Sequence, residues 1–193
     1  MKLCIYGASG ERLDARYFEA ARDFGRLLGQ HGHSLIFGGG AHGLMGACAE
    51  GAAETGAEII GVAPRFFDEP GVLFPRCTRF VWTDTMRERK AIMEEESEAF
   101  LVLPGGIGTL EEFFETLTLK QLGLHGKPIA LLNTLGYYDA LRQLLEQAAA
   151  SPGRCFWWPP TTPSSPPPPP SSATGSPKTS AGTNTSSPAS TCS

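Results

Sequence analysis

The chain has 193 residues, 41% of them apolar, enough for one domain with a sizeable core. Its formal net charge is −4; beyond position 150 the charged residues are Arg154 and Lys178, so the first 150 residues carry −6. That acidic body excludes a general role on nucleic acid or a membrane surface, and no apolar run approaches the ~18 residues of a membrane span. The five cysteines are scattered without a C-x-x-C pair, and the apolar run before Gly7 is too short for a signal-peptide core. Reduced thiols in a cytoplasmic protein are the expectation.

Lys2 to Tyr6 reads as a strand that ends in Gly7-Ala-Ser-Gly10. A helix follows, with Tyr17, Ala21, Phe24 and Leu28 at helical spacing, until Gly32 breaks it. Ser34 to Phe37 is a second strand, running into Gly38-Gly-Gly-Ala-His-Gly43 and a small-residue helix from Leu44 to about Thr55. Glu58 to Val62 makes a third strand, Pro64 to Pro75 a loop, and Arg79 to Thr83 a fourth strand. Asp84-Thr85 opens a helix through Ser97. Ala99 to Leu103 is the fifth strand, followed by Pro104-Gly-Gly-Ile-Gly-Thr-Leu-Glu-Glu112 and an amphipathic stretch from Leu110 to Leu122. Pro128 to Asn133 is the sixth strand and Tyr137 to Ala149 the last helix.

Strands alternating with helices predict an α/β domain over residues 1–150, with a mostly parallel sheet and helices on both faces. Ligands of such sheets bind outside the carboxyl ends of the strands. Gly7–Gly10, Gly38–Gly43, Thr83–Lys90 and Pro104–Glu112 all follow strands, so the four segments converge on one edge. Past Ala149 the pattern stops: five consecutive prolines at 166–170 and a Ser/Thr/Gly tail follow. A stretch without acidic residues and with few apolar ones cannot offset its ordering entropy, so 151–193 reads as a disordered tail. The change is abrupt enough to be the product of a frameshift, which resequencing the coding DNA would decide.

Pro104–Glu112 carries the chemistry. A buried strand, a glycine turn and a helix start present backbone N–H groups to an anion, and glycines let a ligand approach the main chain. Thr109 is expected to cap the helix, and Thr109-x-x-Glu112 is also a capping box. If the N–H groups serve a phosphate instead, Glu112 is free to face another part of the ligand. Asp84 or Thr85 is expected to cap the next helix, with Glu88 completing a second capping box. Arg87, Arg89 and Lys90 then fall in the first turns, where cations cost up to ~1 kcal/mol each unless an anion is near. Lys90 pairing with Glu94 accounts for one of them; Arg87 and Arg89 point to substrate. Gly38, Gly40 and Gly43 fit G-x-G-x-x-G, but an NAD site wants an acid at the end of the next strand, where Ala63-Pro64 stand. The four histidines, His42 among them, read as loop or surface residues, with no metal spacing.

Gly38-Gly-Gly-x-x-Gly-Leu-Met-Gly46, Met86-Arg-Glu-Arg-Lys90 and Pro104-Gly-Gly-x-Gly-Thr-x-x-Glu112 resemble the landmarks of the Lonely Guy family. Its members are cytokinin riboside 5′-monophosphate phosphoribohydrolases, long mislabelled as lysine decarboxylases. Over residues 1–150 the resemblance implies a Rossmann-like fold and a homodimer or larger homo-oligomer. It implies AMP nucleosidase-like hydrolysis of a nucleoside 5′-monophosphate to free base and ribose 5-phosphate, without metal or organic cofactor. The catalytic positions fall on Arg89 and Glu112. Substrate-binding positions fall on Lys90, Gly106, Ile107, Gly108, Thr109, Leu110, Glu111 and Thr118, with Ser9, Gly39, Gly40 and Gly105 as further candidate contacts on the same edge. An upstream substrate-binding Glu of the plant enzymes has Gly71 at its spacing here, with Glu69 two residues away. A non-catalytic nucleotide carrier on the same fold is the alternative function.

Overall fold

The computed structural model describes residues 1–150; the tail expected at 151–193 lies outside the described residues. Strands β1 (Lys2–Tyr6), β2 (Ser34–Phe37), β3 (Ile59–Pro64), β4 (Arg79–Thr83), β5 (Ala99–Val102) and β6 (Ile129–Leu131) form one sheet in the order β4-β3-β2-β1-β5-β6. Every pairing is parallel. Parallel strands covered on both faces read as continuous apolar runs, and β3 and β5 are buried along their whole length.

The helices are α1 (Ala15–Gln30), α2 (Gly43–Glu54), α3 (Met86–Glu96), α4 (Ile107–Gln121) and α5 (Asp139–Ala150). The chain lays β2, β3 and β4 successively to one side of β1, then returns through α3 to set β5 on the other side. Because crossovers keep one hand, that reversal sends the later helices to the opposite face. Ala21 and Leu28 of α1 and Leu44 and Cys48 of α2 join Ile5, Leu35 and Phe37 in one core. Met93 of α3 and Phe113 of α4 join Cys4, Tyr6, Ile36 and Phe100 in the other. The reversal opens a crevice between the carboxyl ends of β1 and β5, the usual ligand position in such sheets.

Three boundaries depart from expectation. β3 continues to Pro64 instead of ending at Val62, because the neighbouring strand keeps pairing it as far as Thr83. Within 64–75, expected as plain loop, Arg65–Phe67 form a 3-10 turn and Leu73 pairs with Gly40 across an isolated bridge. β6 stops at Leu131 and α5 starts only at Asp139, because Asn133 holds the turn between them. Its Oδ1 accepts the Tyr138 N–H at 2.6 Å and its Nδ2 donates to Asp139 at 2.8 Å. That turn serves the crevice: the hydroxyls of Tyr137 and Tyr138 donate to the carbonyls of Gly105 and Leu103, at 2.8 and 2.6 Å.

Candidate active site

The four segments expected to converge do so, and the loop after β3 joins them. The turns after β1, β2 and β5 and that loop are stitched by backbone hydrogen bonds: Ala8 N–H to Pro104 O at 3.1 Å, Leu44 N–H to Ala8 O at 2.9 Å, Ala41 N–H to Val72 O at 2.9 Å and Phe74 N–H to Gly39 O at 2.8 Å. Together they enclose a cleft of about 650 Å³. Of the residues singled out from sequence, Ser9, Gly40 and Arg89 line it, together with Gly106, Gly108, Thr109, Glu111 and Glu112 from one segment.

The helix start at this cleft differs from expectation in one respect. Gly106, not Thr109, is the N-cap of α4, and no side chain caps it. Thr109 sits a turn inside, buried at 5% exposure, over Gly105, where a Cβ would lie 2.1 Å from its hydroxyl oxygen. The Thr109–Glu112 capping box therefore does not form. The first N–H groups of a helix have no partner within it. Here they face a cleft, at the positive end of the helix dipole, and have no acceptor among the described residues.

Arg89 and Glu112 meet across the cleft floor. Nη1 of Arg89 donates to Oε1 of Glu112 at 2.9 Å, and the two side chains are only 8% and 13% exposed. The capping box at the start of α3 does form: Thr85 Oγ1 accepts the Glu88 N–H at 3.2 Å and Glu88 accepts the Thr85 N–H at 3.3 Å. It fixes the turn from which Arg89 projects, and Nε of Arg89 donates to Val62 O of β3 at 3.2 Å. Burial pushes the Glu112 carboxyl above its ordinary range, against the weaker opposing pull of Arg89. The result is a largely buried carboxyl held by one guanidinium, beside amides that have no acceptor among the described residues.

Other expected contacts lie elsewhere. Lys90 does not pair with Glu94; its ammonium bridges to Glu111 and Glu115 on α4, at 2.5 Å each. Burial works against that ammonium, but the two carboxylates outweigh it and raise its pKa. Lys90 thus reaches the cleft only through Glu111. Arg87 is exposed on the outer side of α3 and does not line the cleft. Thr118 bonds back to Phe114 O at 2.6 Å; it stands three turns along α4, ~18 Å from Gly106 at 1.5 Å per residue. Ile107 points outward at 84% exposure, and Leu110 packs on the second core. A Cβ at Gly39 would meet the Phe80 ring, so Gly39 shapes the turn without lining the cleft. Glu69 is exposed and also outside the lining.

Sequence reasoning missed the apolar wall and one imidazole. Met45, Phe67, Val72, Leu73 and Met86 line the cleft, as does His42. Phe67, Val72 and Leu73 sit in the segment expected as plain loop. Their apolar character between prolines was the available signal, since a loop that is only solvated has no use for it.

The chain matches the family model described as "Possible lysine decarboxylase" over residues 45–152. It is 38% identical over 147 residues to a probable cytokinin riboside 5′-monophosphate phosphoribohydrolase of Oryza sativa subsp. japonica, covering 76% of this chain and 70% of that protein. A probable cytokinin riboside 5′-monophosphate phosphoribohydrolase of Arabidopsis thaliana is also 38% identical, over 146 residues, covering 76% and 73%. The chain belongs to the Lonely Guy family. Among solved structures it resembles the molybdenum cofactor binding protein from Rippkaea orientalis, with a TM-score of 0.61 at 22% identity over 75% of this chain and 84% of that one. The molybdenum cofactor carrier protein from Chlamydomonas reinhardtii gives 0.56 at 23% identity, over 75% and 98%. Those two likenesses are of fold alone. The Lonely Guy motifs quoted from the sequence are the segments that build the cleft.

Proposed function

We propose that this member of the Lonely Guy family hydrolyses the N-glycosidic bond of a cytokinin riboside 5′-monophosphate, releasing free base and ribose 5-phosphate. The observation that carries the reading is the buried Arg89–Glu112 pair beside an uncapped helix start. The amides of Gly106 to Thr109 bind the 5′-phosphate and fix the ribose over Glu112. Water adds to C1′ while the C1′–N bond breaks; the bond electrons leave with the base, which takes up a proton. Glu112 stabilises the oxocarbenium-like ribosyl centre or accepts the proton of the attacking water. Arg89 aims Glu112 and meets negative charge as it develops.

AMP belongs among the proposed substrates, because the helix-start amides, Arg89 and Glu112 serve phosphate and sugar, and the wall left for the base is apolar. We also place the enzyme in the cytoplasm, a reading supported by the unpaired Cys4, Cys48 and Cys77. It works as a homodimer or larger homo-oligomer, supported by the exposed apolar residues Ile107 and Phe114 along α4 and Leu122 and Leu124 beyond it. Sedimentation at micromolar concentration tests the assembly.

The activity is tested by incubating the protein with AMP and with isopentenyladenosine monophosphate and following free base and ribose 5-phosphate. Absence of base release from either by folded protein overturns the hydrolase reading. Tight binding of the monophosphate without release would instead support a carrier.

A further inference from the structure

His42 is a cleft residue whose contacts the catalytic pair does not explain. It is the N-cap of α2 but makes no capping hydrogen bond; its ring is engaged elsewhere. Nδ1 lies 2.7 Å from Oε1 of Glu11, on the loop after β1. Nε2 lies 2.9 Å from the carbonyl oxygen of Gly71, on the loop after β3. Both partners accept, and a neutral imidazole has a single N–H to give, so both bonds form together only when the ring is an imidazolium. The two loops so joined both contribute to the cleft, one through Ser9 and Gly10, the other through Phe67, Val72 and Leu73.

The loop after β3 needs such a tie. Its descending limb is held by the backbone bonds of Val72 and Phe74 to the glycine turn. Its apex is not: a Cβ at Gly71 would find nothing within 4 Å, and residues 68–71 are exposed. Among the described residues, the His42 ring is the side chain that joins this apex to the facing loop.

We propose that His42, as an imidazolium, is a positioning residue that clasps the loop after β3 to the loop after β1, holding the apolar wall of Val72 and Leu73 against the base of the bound nucleotide. The proposal rests on the phosphoribohydrolase reading for its ligand, but the clasp itself does not. The charged groups carried by the two joined loops are Glu11 and Arg12 on the first and Arg65, Asp68 and Glu69 on the second. Across the cleft stand Arg89, paired with Glu112, and Glu111, paired with Lys90. Of these, Glu11 is the one bonded to the ring.

The experiment has two arms on the full chain. In the first, amide hydrogen exchange of residues 65–73 is compared on the acid and the alkaline side of neutrality, corrected for intrinsic exchange. The wild type is expected to protect this loop roughly tenfold better on the acid side, the worth of one charge-assisted hydrogen bond, and His42→Gln to remove the difference. Equal protection at both pH values, or unchanged protection in His42→Gln, overturns the clasp. In the second arm, steady-state hydrolysis of AMP is measured at the acid pH of the first. His42→Gln and Glu11→Gln each raise KM by roughly tenfold with kcat within about twofold, and the double variant is no worse than either. A matching fall in kcat, or additive effects, overturns the positioning role. If the exchange difference is present but wild-type protein releases no base, the clasp is supported and the hydrolase reading alone falls.

Discussion

A methyl group at residue 38 would lie 1.8 Å from Nη2 of Arg89. Gly38, in the turn after β2, is therefore the space into which the guanidinium fits on its way to Glu112, and the first glycine motif serves the same pair as the third. The strand-edge arrangement makes this contact; nothing within either motif does.

Gly38→Ala tests it directly. The Arg89 guanidinium must shift, straining its bonds to Glu112 and Val62, and a displacement of about 1 Å at a reacting group costs on the order of a hundredfold. We expect kcat/KM to fall by at least that factor, with stability lowered by roughly 1 to 3 kcal/mol from overpacking. Wild-type activity in Gly38→Ala would separate Arg89 from the chemistry.

Glu112→Gln keeps an acceptor for Arg89 and removes the charge. Turnover is expected to drop by about 10³-fold, within the span of general acid–base contributions, while the thermal midpoint moves little. Arg89→Ala is the contrasting case, since it leaves a carboxylate at 13% exposure without its cation. Breaking a buried pair in this way costs about 3 to 5 kcal/mol, and a melting curve reads it. Near-normal turnover in Glu112→Gln would reduce Glu112 to a structural partner of Arg89.

The pH dependence follows from the raised Glu112 carboxyl. Folding raises its pKa above the ordinary value of 4.5 through burial, so the native state holds a proton that the unfolded chain has already lost. This group favours the folded state on the acid side, and that contribution is lost as pH rises through the folded pKa. Catalysis needs the carboxylate, so the acid limb of kcat/KM is expected above the range of an ordinary glutamate. A carbon-detected NMR titration of the Glu112 side chain gives the same midpoint; a value at or below 4.5 contradicts the burial argument.

Lys90→Met leaves Glu111 and Glu115, one turn apart on α4, side by side without the ammonium from α3 that joins them. The Lys90 side chain is only 15% exposed, so a loss of about 2 kcal/mol is expected, as for a hydrogen bond to a charged group. The change should appear in the unfolding midpoint more than in KM. A large rise in KM at unchanged stability would assign Lys90 to the substrate.

The sequence by itself determined the order of strands and helices, the parallel sheet and the edge where four segments meet. Each follows from local pattern: apolar runs of strand length, glycine turns after them, and the Thr85–Glu88 box that the structure retains. A glycine turn after a strand singled out Glu112, and cations in the first turns of a helix singled out Arg89, before any contact was visible. What only the tertiary structure decided is which groups touch. Thr109 reads as a cap, yet Gly105 offers its side chain a closer berth, and the helix start stays open for an anion. Lys90 reads as an i,i+4 partner of Glu94, yet a neighbouring helix presents two carboxylates at shorter range. His42 reads as a loop histidine until two loops, 31 and 29 residues away along the chain, bring an acceptor to each of its nitrogens. Local propensity is written in neighbours along the chain; burial, charge pairing and ring contacts depend on neighbours in space, which the topology of the sheet supplies.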